Sequence, residues 1–168
     1  MKSESIYFHS SDQLTETLSI EISEVFDSVG TVNWSREFSF SDGNRRYQHQ
    51  TGYNKAIANE FQDRGWESNP ILRTKPKLIG DFRKGLVFVE VQFGNSSTLY
   101  RDYYKFQYGL ANGLLSLAIL IVPTKPRGFF PTRPNSVRNM AEYTIAENYL
   151  SVLPINVPTL LIGLLPNN

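Results

Sequence analysis

Two acidic residues stand where the surrounding strand pattern has no use for them. Asp81 and Glu90 lie in the stretch Leu78 to Asn95, LIGDFRKGLVFVEVQFGN. Strands favour Val, Ile and Phe and disfavour Asp and Glu. Leu86-Val-Phe-Val-Glu-Val-Gln-Phe93 is otherwise a near-continuous apolar run, the pattern of a strand buried on both faces. A carboxylate there must be paired, hydrogen-bonded or holding a metal. Whether the two acids meet depends on the turn between them. With Lys84-Gly85 as a two-residue hairpin loop, Arg83 faces Leu86, Asp81 faces Phe88 and Ile79 faces Glu90. Asp81, Phe88, Glu90 and Gln92 then share one face. The two acids become diagonal neighbours, with Cα atoms roughly 7–8 Å apart. A hard divalent cation can bridge carboxylates so placed. A three-residue loop would turn Asp81 to the other face. The competing reading is an ordinary hairpin with two surface acids.

Asp81 followed by Glu90-Val91-Gln92 resembles the PD-(D/E)XK nuclease pattern, with Gln92 where that pattern has Lys. Gly94-Asn95 follows, then Tyr100-Arg101-Asp102-Tyr103-Tyr104-Lys105-Phe106-Gln107. With these, the stretch is similar to the BglII/BstYI-like group of type II restriction endonucleases, most clearly between Gly65 and Val122. The resemblance implies a restriction-endonuclease-like α/β fold, a mixed sheet flanked by helices on both sides, with residues 1–168 as a single nuclease domain. It implies Mg²⁺-dependent hydrolysis of double-stranded DNA at a short palindrome by a homodimer, with Mn²⁺ able to substitute. Asp81 and Glu90 become metal ligands, the Val91 carbonyl a third, and Gln92 an amide that orients water. Glu60, on a helix, and Asn69 are accessory candidates. A repair, structure-specific or mobile-element nuclease is the alternative on the same fold. A non-catalytic DNA-binding module is the alternative outside catalysis.

Composition narrows the choices. The chain has 168 residues and no cysteine, which removes disulfides, thiolate metal sites and cysteine nucleophiles. His9 and His49 alone make a multi-histidine zinc site a poor expectation. The longest apolar run, Leu117 to Val122, is too short to span a bilayer. The N-terminal residues do not read as a secretory signal, so a cytoplasmic, prokaryotic protein is expected. Net charge is +1 but unevenly spread. Residues 1–30 hold one Lys against six acids, and residues 123–139 hold Lys125, Arg127, Arg133 and Arg138 with no acid. Such segregation permits a basic face on a nearly neutral protein.

The elements that must hold the hairpin in place read as follows. Ser10 to Val29 has the apolar spacing of a helix, with Ser10 and Gln13 as a capping box and acids on the outer face. A short hairpin fits Glu37 to Ser41 with a turn at Asp42-Gly43-Asn44, followed by a basic, polar segment from Arg45. Asn54 to Arg64 reads as a second helix, and a strand is expected after Pro70. Arg73, Lys75 and Lys77 beside the hairpin suit phosphate contacts. Thr98 to Leu110 reads as a helix with Tyr103, Phe106, Gln107 and Leu110 inward. On that reading Arg101 and Lys105 face outward, both able to reach one phosphate strand. Leu114 to Val122 is a buried strand, parallel to the hairpin's second strand through a right-handed crossover. Thr124 to Asn139 is a long proline-rich loop. Its Arg127, Arg133, Asn135, Arg138 and Asn139 suit guanine and adenine edges or phosphates. A helix over Val137 to Leu150 and a strand over Val157 to Leu165 close the sheet.

Overall fold

The computed structural model describes residues 1–36, 39–42, 45–48, 50–131 and 135–167. In chain order these form β1 (Lys2–Phe8), α1 (Asp12–Thr17), α2 (Ser19–Thr31), β2 (Ser39–Asp42), β3 (Arg45–Gln48) and α3 (Gln50–Asp63). Then come β4 (Glu67–Ser68), β5 (Ile71–Arg73), β6 (Leu78–Ile79), β7 (Phe82–Lys84), β8 (Val87–Val91) and α4 (Leu99–Ala111). The chain finishes with β9 (Leu117–Pro123), α5 (Pro126–Phe129), α6 (Tyr143–Val152) and β10 (Thr159–Leu165).

Six strands make one mixed sheet in the order β1-β10-β9-β8-β7-β4. β8, β9 and β10 run parallel, because α4 and α6 carry the chain back between them. β1, β7 and β4 are antiparallel to their neighbours. The parallel strands are the long apolar runs of the sequence, and β8 and β9 are buried at every residue. Side chains alternate across them. Val87, Val89 and Val91 meet the core beneath α2 and α3, with Ile57, Phe61 and Phe129. Phe88 and Leu120 meet the core beneath α4 and α6, with Leu99, Tyr103, Phe106 and Leu150. The expected sheet with helices on both faces is therefore present.

Several expectations need correction. β10 does not close the sheet, since β1 lies outside it as an antiparallel edge. The sequence hid β1 because an edge strand need not be apolar, and its first four residues are exposed. The helix from Ser10 is two helices. Ser11 is the cap, accepting from Leu14 N–H at 3.2 Å, and Leu18 leaves helical geometry at φ −102° and ψ 18°. The long loop after Pro123 contains α5 and a 3₁₀ turn at Asn135–Asn139, and the following helix begins at Tyr143. The hairpin of β2 and β3 forms with Phe40 opposite Tyr47, while Glu37, Phe38, Gly43, Asn44 and His49 lie outside the described residues.

The central hairpin differs in register from the expected one. Lys84 pairs with Val87, Arg83 with Phe88 and Phe82 with Val89, so the two loop residues are Gly85 and Leu86. Gly85 takes a φ of +55°, at the first central position where two-residue hairpins favour glycine. The register has moved by two residues, and a shift of two preserves the face of every side chain. Extended by one pair, it sets Asp81 opposite Glu90 instead of diagonal to it. Lys84 leaves the hairpin for α2, where its Nζ lies 2.7 Å from both Glu24 carboxylate oxygens, so the acidic helix helps anchor the turn.

Phe88 is fully buried with its ring laid against the backbone of Gly80, next to Asp81. A Cβ at Gly80 would run into that ring. Gly80→Ala is therefore expected to cost about 1–3 kcal/mol, the scale of core overpacking, measured by denaturant unfolding. Cleavage activity should fall with it, because the displaced segment carries Asp81.

Candidate active site

The end of β8 is where the chemistry gathers. β7 begins only at Phe82, so the Val91 N–H has no ladder partner on that side. The Asp81 carboxylate takes the vacant bond, with Oδ2 accepting from Val91 N–H at 2.8 Å. An extended residue sends its N–H and C=O out of the same edge of the strand. The Val91 carbonyl therefore points to the side that Asp81 occupies. Asn69 enters from the next segment, its N–H donating to the Asp81 carbonyl at 2.9 Å. It holds a left-handed φ of 55°, which asparagine tolerates better than most residues.

Glu90, on the same face as Asp81, is buried beneath α4 at 3% exposure. Its Oε2 is 2.8 Å from Lys105 Nζ. Lys105 also donates to Asp102 Oδ1 at 3.0 Å, and Asp102 is fully buried. The second Asp102 oxygen accepts from Gln92 Nε2 at 2.7 Å, while Gln92 Oε1 accepts from Gly94 N–H at 2.9 Å. The amide of Gln92 is thus oriented by a carboxylate at one end and a backbone donor at the other. One N–H and one lone pair remain to it. Glu90 Oε1 is buried and has no hydrogen-bond partner.

This corrects the outward placement of Lys105. It is 4% exposed and committed to two carboxylates, so it does not lie along α4 as a surface cation beside Arg101. Asp102 was not foreseen at all as a site residue. The signal was present: Leu99, Asp102, Tyr103 and Phe106 sit at helical spacing on the buried stripe.

Two hollows flank Asp81. One, of about 210 Å³, is lined by Asn54, Ala58 and Gln62 of α3, with Ser68, Asn69, Asp81, Phe82 and Val91. The other, of about 320 Å³, is lined by Asn69, Lys77, Arg101, Lys105 and the segment Leu78 to Asp81. α3 is held over the first by Phe61, stacked on Phe82 with centroids 4.4 Å apart. Asn54, Ala58 and Gln62 recur at i and i+4, and the two polar ones, Asn54 and Gln62, were not among the expected site residues. Glu60 points elsewhere, into an ion pair with Arg64 at 2.7 Å, and does not line either hollow.

The remaining basic candidates are dispersed. Lys75 is exposed, and Arg73 donates to the Lys75 carbonyl at 2.6 Å and lies over the Tyr108 ring. Arg127 and Arg138 line a third hollow with Lys125, and Asn139 is exposed nearby. Asn135 opens the 3₁₀ turn, while Arg133 lies outside the described residues. The turn is tied to the segment that follows β8, because Ala141 N–H donates to the Gly94 carbonyl at 2.8 Å and Asn95 bridges to Met140.

Burial shapes the electrostatics. Desolvation raises the Glu90 pKa well above the ordinary carboxylate range, and Asp81 and Asp102 push it further than Lys105 pulls it back. Desolvation also raises Asp81, against the Val91 N–H and Lys105. Burial works against the Lys105 ammonium, but Glu90 and Asp102 more than offset it and raise its pKa.

A mixed sheet carrying paired acids at the end of its central strand is the architecture of restriction-endonuclease-like nucleases. A model of the family described as restriction endonuclease BglII/BglIII matches residues 4–164. The chain belongs to that family, and it is a restriction endonuclease, a DNA-cleaving hydrolase. Among solved structures, BglII complexed with a DNA 16-mer superposes with a TM-score of 0.77 at 22% identity, covering 99% of this chain and 78% of that one. Free BglII gives 0.67 at 24% identity, covering 99% and 81%. No curated protein sequence matches the chain. Among the described residues no helix is long and apolar enough to cross a membrane.

Asp81→Asn tests the electrostatics. The raised carboxylate pKa values mean that the folded state holds more protons than the unfolded chain between the ordinary and the raised values. Metal-free stability therefore falls as pH rises through that window. Asparagine can keep the bond to Val91 N–H while removing the charge. The variant should be more stable than native at neutral pH, because the buried carboxylate is ionised there at a cost. The expected result is a higher melting temperature at neutral pH and a weaker fall between acid and neutral pH, read by calorimetry without divalent metal.

Proposed function

We propose that Asp81, Glu90 and the Val91 carbonyl hold a divalent cation, Mg²⁺ with Mn²⁺ as a substitute, and that a homodimer cuts a short palindrome in double-stranded DNA. On this reading the whole chain acts as one nuclease domain. The observation that carries it is Glu90: one oxygen is taken by Lys105, and the other is buried without a partner at the strand end that Asp81 closes. A buried acceptor left unmade is costly, and a cation is the partner this all-oxygen set suits. Among the described residues no group of three or more His, Cys, Asp or Glu gathers as a metal site. A two-carboxylate set accords with Mg²⁺, which keeps several waters and takes substrate phosphate oxygens.

When bound, such an ion lowers the pKa of water and neutralises charge developing on the phosphate. The chain supplies the rest. Gln92, fixed by Asp102 and Gly94, presents its remaining amide N–H and lone pair to water. Lys77 and Arg101, at the rim of the hollow beside Asp81, take flanking phosphates, with Arg73 and Lys75 further along. Asn69 orients the approach to Asp81. Arg127, Arg133, Asn135, Arg138 and Asn139 read base edges or phosphates from the turn tied to Gly94 and Asn95. Two-fold symmetry of a dimer matches the symmetry of a palindrome, one site per strand.

The test is plasmid digestion with Mg²⁺, which should yield discrete fragments whose ends share one sequence. Glu90→Gln should remove cleavage while still shifting a DNA duplex in Ca²⁺ and melting cooperatively. A smear would indicate a nonspecific nuclease on the same fold. A shift without product in either Mg²⁺ or Mn²⁺ would indicate a binding module. Sedimentation should give a particle of twice the chain mass.

A further inference from the structure

We propose that Lys105 is a positioning residue that supplies, from α4, the cation that position 92 lacks in this chain. The inference rests on the active-site reading above. Gln92 carries no charge, yet a buried ammonium stands within the same network. Lys105 Nζ is 2.8 Å from Glu90 Oε2 and 3.0 Å from Asp102 Oδ1, with its side chain 5% exposed. It also reaches the hollow lined by Asp81, Lys77 and Arg101. Lysine is almost never this buried unless paired.

The charges explain the pairing. Asp81, Glu90 and Asp102 are three acids, and among the described residues Lys105 is the cation bonded to two of them, Glu90 and Asp102. When all are ionised, two negative charges remain, the number a single divalent ion neutralises. By holding Oε2, Lys105 fixes the Glu90 carboxylate and leaves Oε1 as the free ligand atom. Asp102 completes the arrangement, because its other oxygen is 2.7 Å from Gln92 Nε2. Positions 92 and 105 therefore end on one carboxylate. A lysine at 92 would deliver its ammonium to the same place from the strand. The two positions are interchangeable sources of a single charge.

The experiment compares native protein with Lys105→Met, Gln92→Lys and the Gln92→Lys/Lys105→Met pair. Each is measured by thermal melting, by Mn²⁺ binding followed through the resonance signal of the free ion, and by single-turnover plasmid cleavage. Lys105→Met should cleave about a hundredfold more slowly, the usual effect of losing one active-site electrostatic partner. Its Mn²⁺ affinity should stay within about tenfold, because both ligand carboxylates remain. The pair should recover cleavage by about tenfold or more over Lys105→Met, which a merely structural ion pair would not bring about. A Lys105→Met protein that cleaves within about threefold of native overturns the proposal. So does a folded pair no faster than Lys105→Met. If Lys105→Met fails to melt cooperatively, the pair decides: folding with cleavage supports interchange, and an unfolded or inactive pair refutes it. Failure of native protein to cleave would instead sink the nuclease reading beneath it.

Discussion

A carboxylate on the middle strand of a sheet has to be compensated, and the way Glu90 meets that demand organises this molecule. β8 is buried on both faces, so the charge cannot be solvated from either side. Desolvating one ion costs several kcal/mol even after relaxation, and a buried pair survives only with close geometry and further hydrogen bonds. Both conditions hold. Lys105 comes within 2.8 Å, and Asp102 binds the far side of the ammonium. Asp102 in turn fixes Gln92, whose other end is closed by the Gly94 backbone. Breaking such a pair by removing one partner costs about 3–5 kcal/mol, so the orientation of α4 over β8 is tied to the site's charge as well as to its apolar packing. One Glu90 oxygen, Oε1, is left outside this accounting, buried and without a hydrogen-bond partner.

The hairpin shows how a functional geometry can tolerate an error in register. The loop is Gly85-Leu86, one residue along from Lys84-Gly85, and each pairing moves by two residues. Because strand side chains alternate with a period of two, the faces do not change. Asp81 nonetheless acts through the edge of the strand, where β7 has not yet begun and a Val91 N–H waits for a partner. The Gly80 backbone before it admits the Phe88 ring, so the core and the acid share one narrow segment.

The basic turn and the end of β8 are joined by a short backbone link. The turn carrying Asn135, Arg138 and Asn139 returns to Gly94 and Asn95 through a backbone bond and an isolated bridge. These two residues lie just beyond β8, which bears Glu90, and after Gln92 and Phe93. Gly94 also donates its N–H to Gln92 Oε1, so the same residue touches both the turn and the Gln92 amide.

Much of this was legible in the residues alone. The runs Leu86 to Phe93, Leu114 to Val122 and Val157 to Leu165 announce buried strands, and the helical spacings between them demand parallel pairing. The pattern of Asp81, Glu90 and Gln92 drew attention to this segment, because an acid inside an apolar run has to be compensated. Helical spacing also put Tyr103, Phe106, Gln107 and Leu110 inward, of which Tyr103 and Phe106 are buried. What it did not disclose is that Asp102 and Lys105 share that inward stripe with a purpose. A stripe says which residues face a sheet, but it does not say that a complementary charge waits there, seven or more residues away and on another element. The same limit explains Glu60, drawn to Arg64, and β1, whose exposed first half carries no apolar signature. Local periodicity follows from the backbone's own geometry. Which charge ends beside which is decided by packing between distant segments, and that exists only in the folded chain.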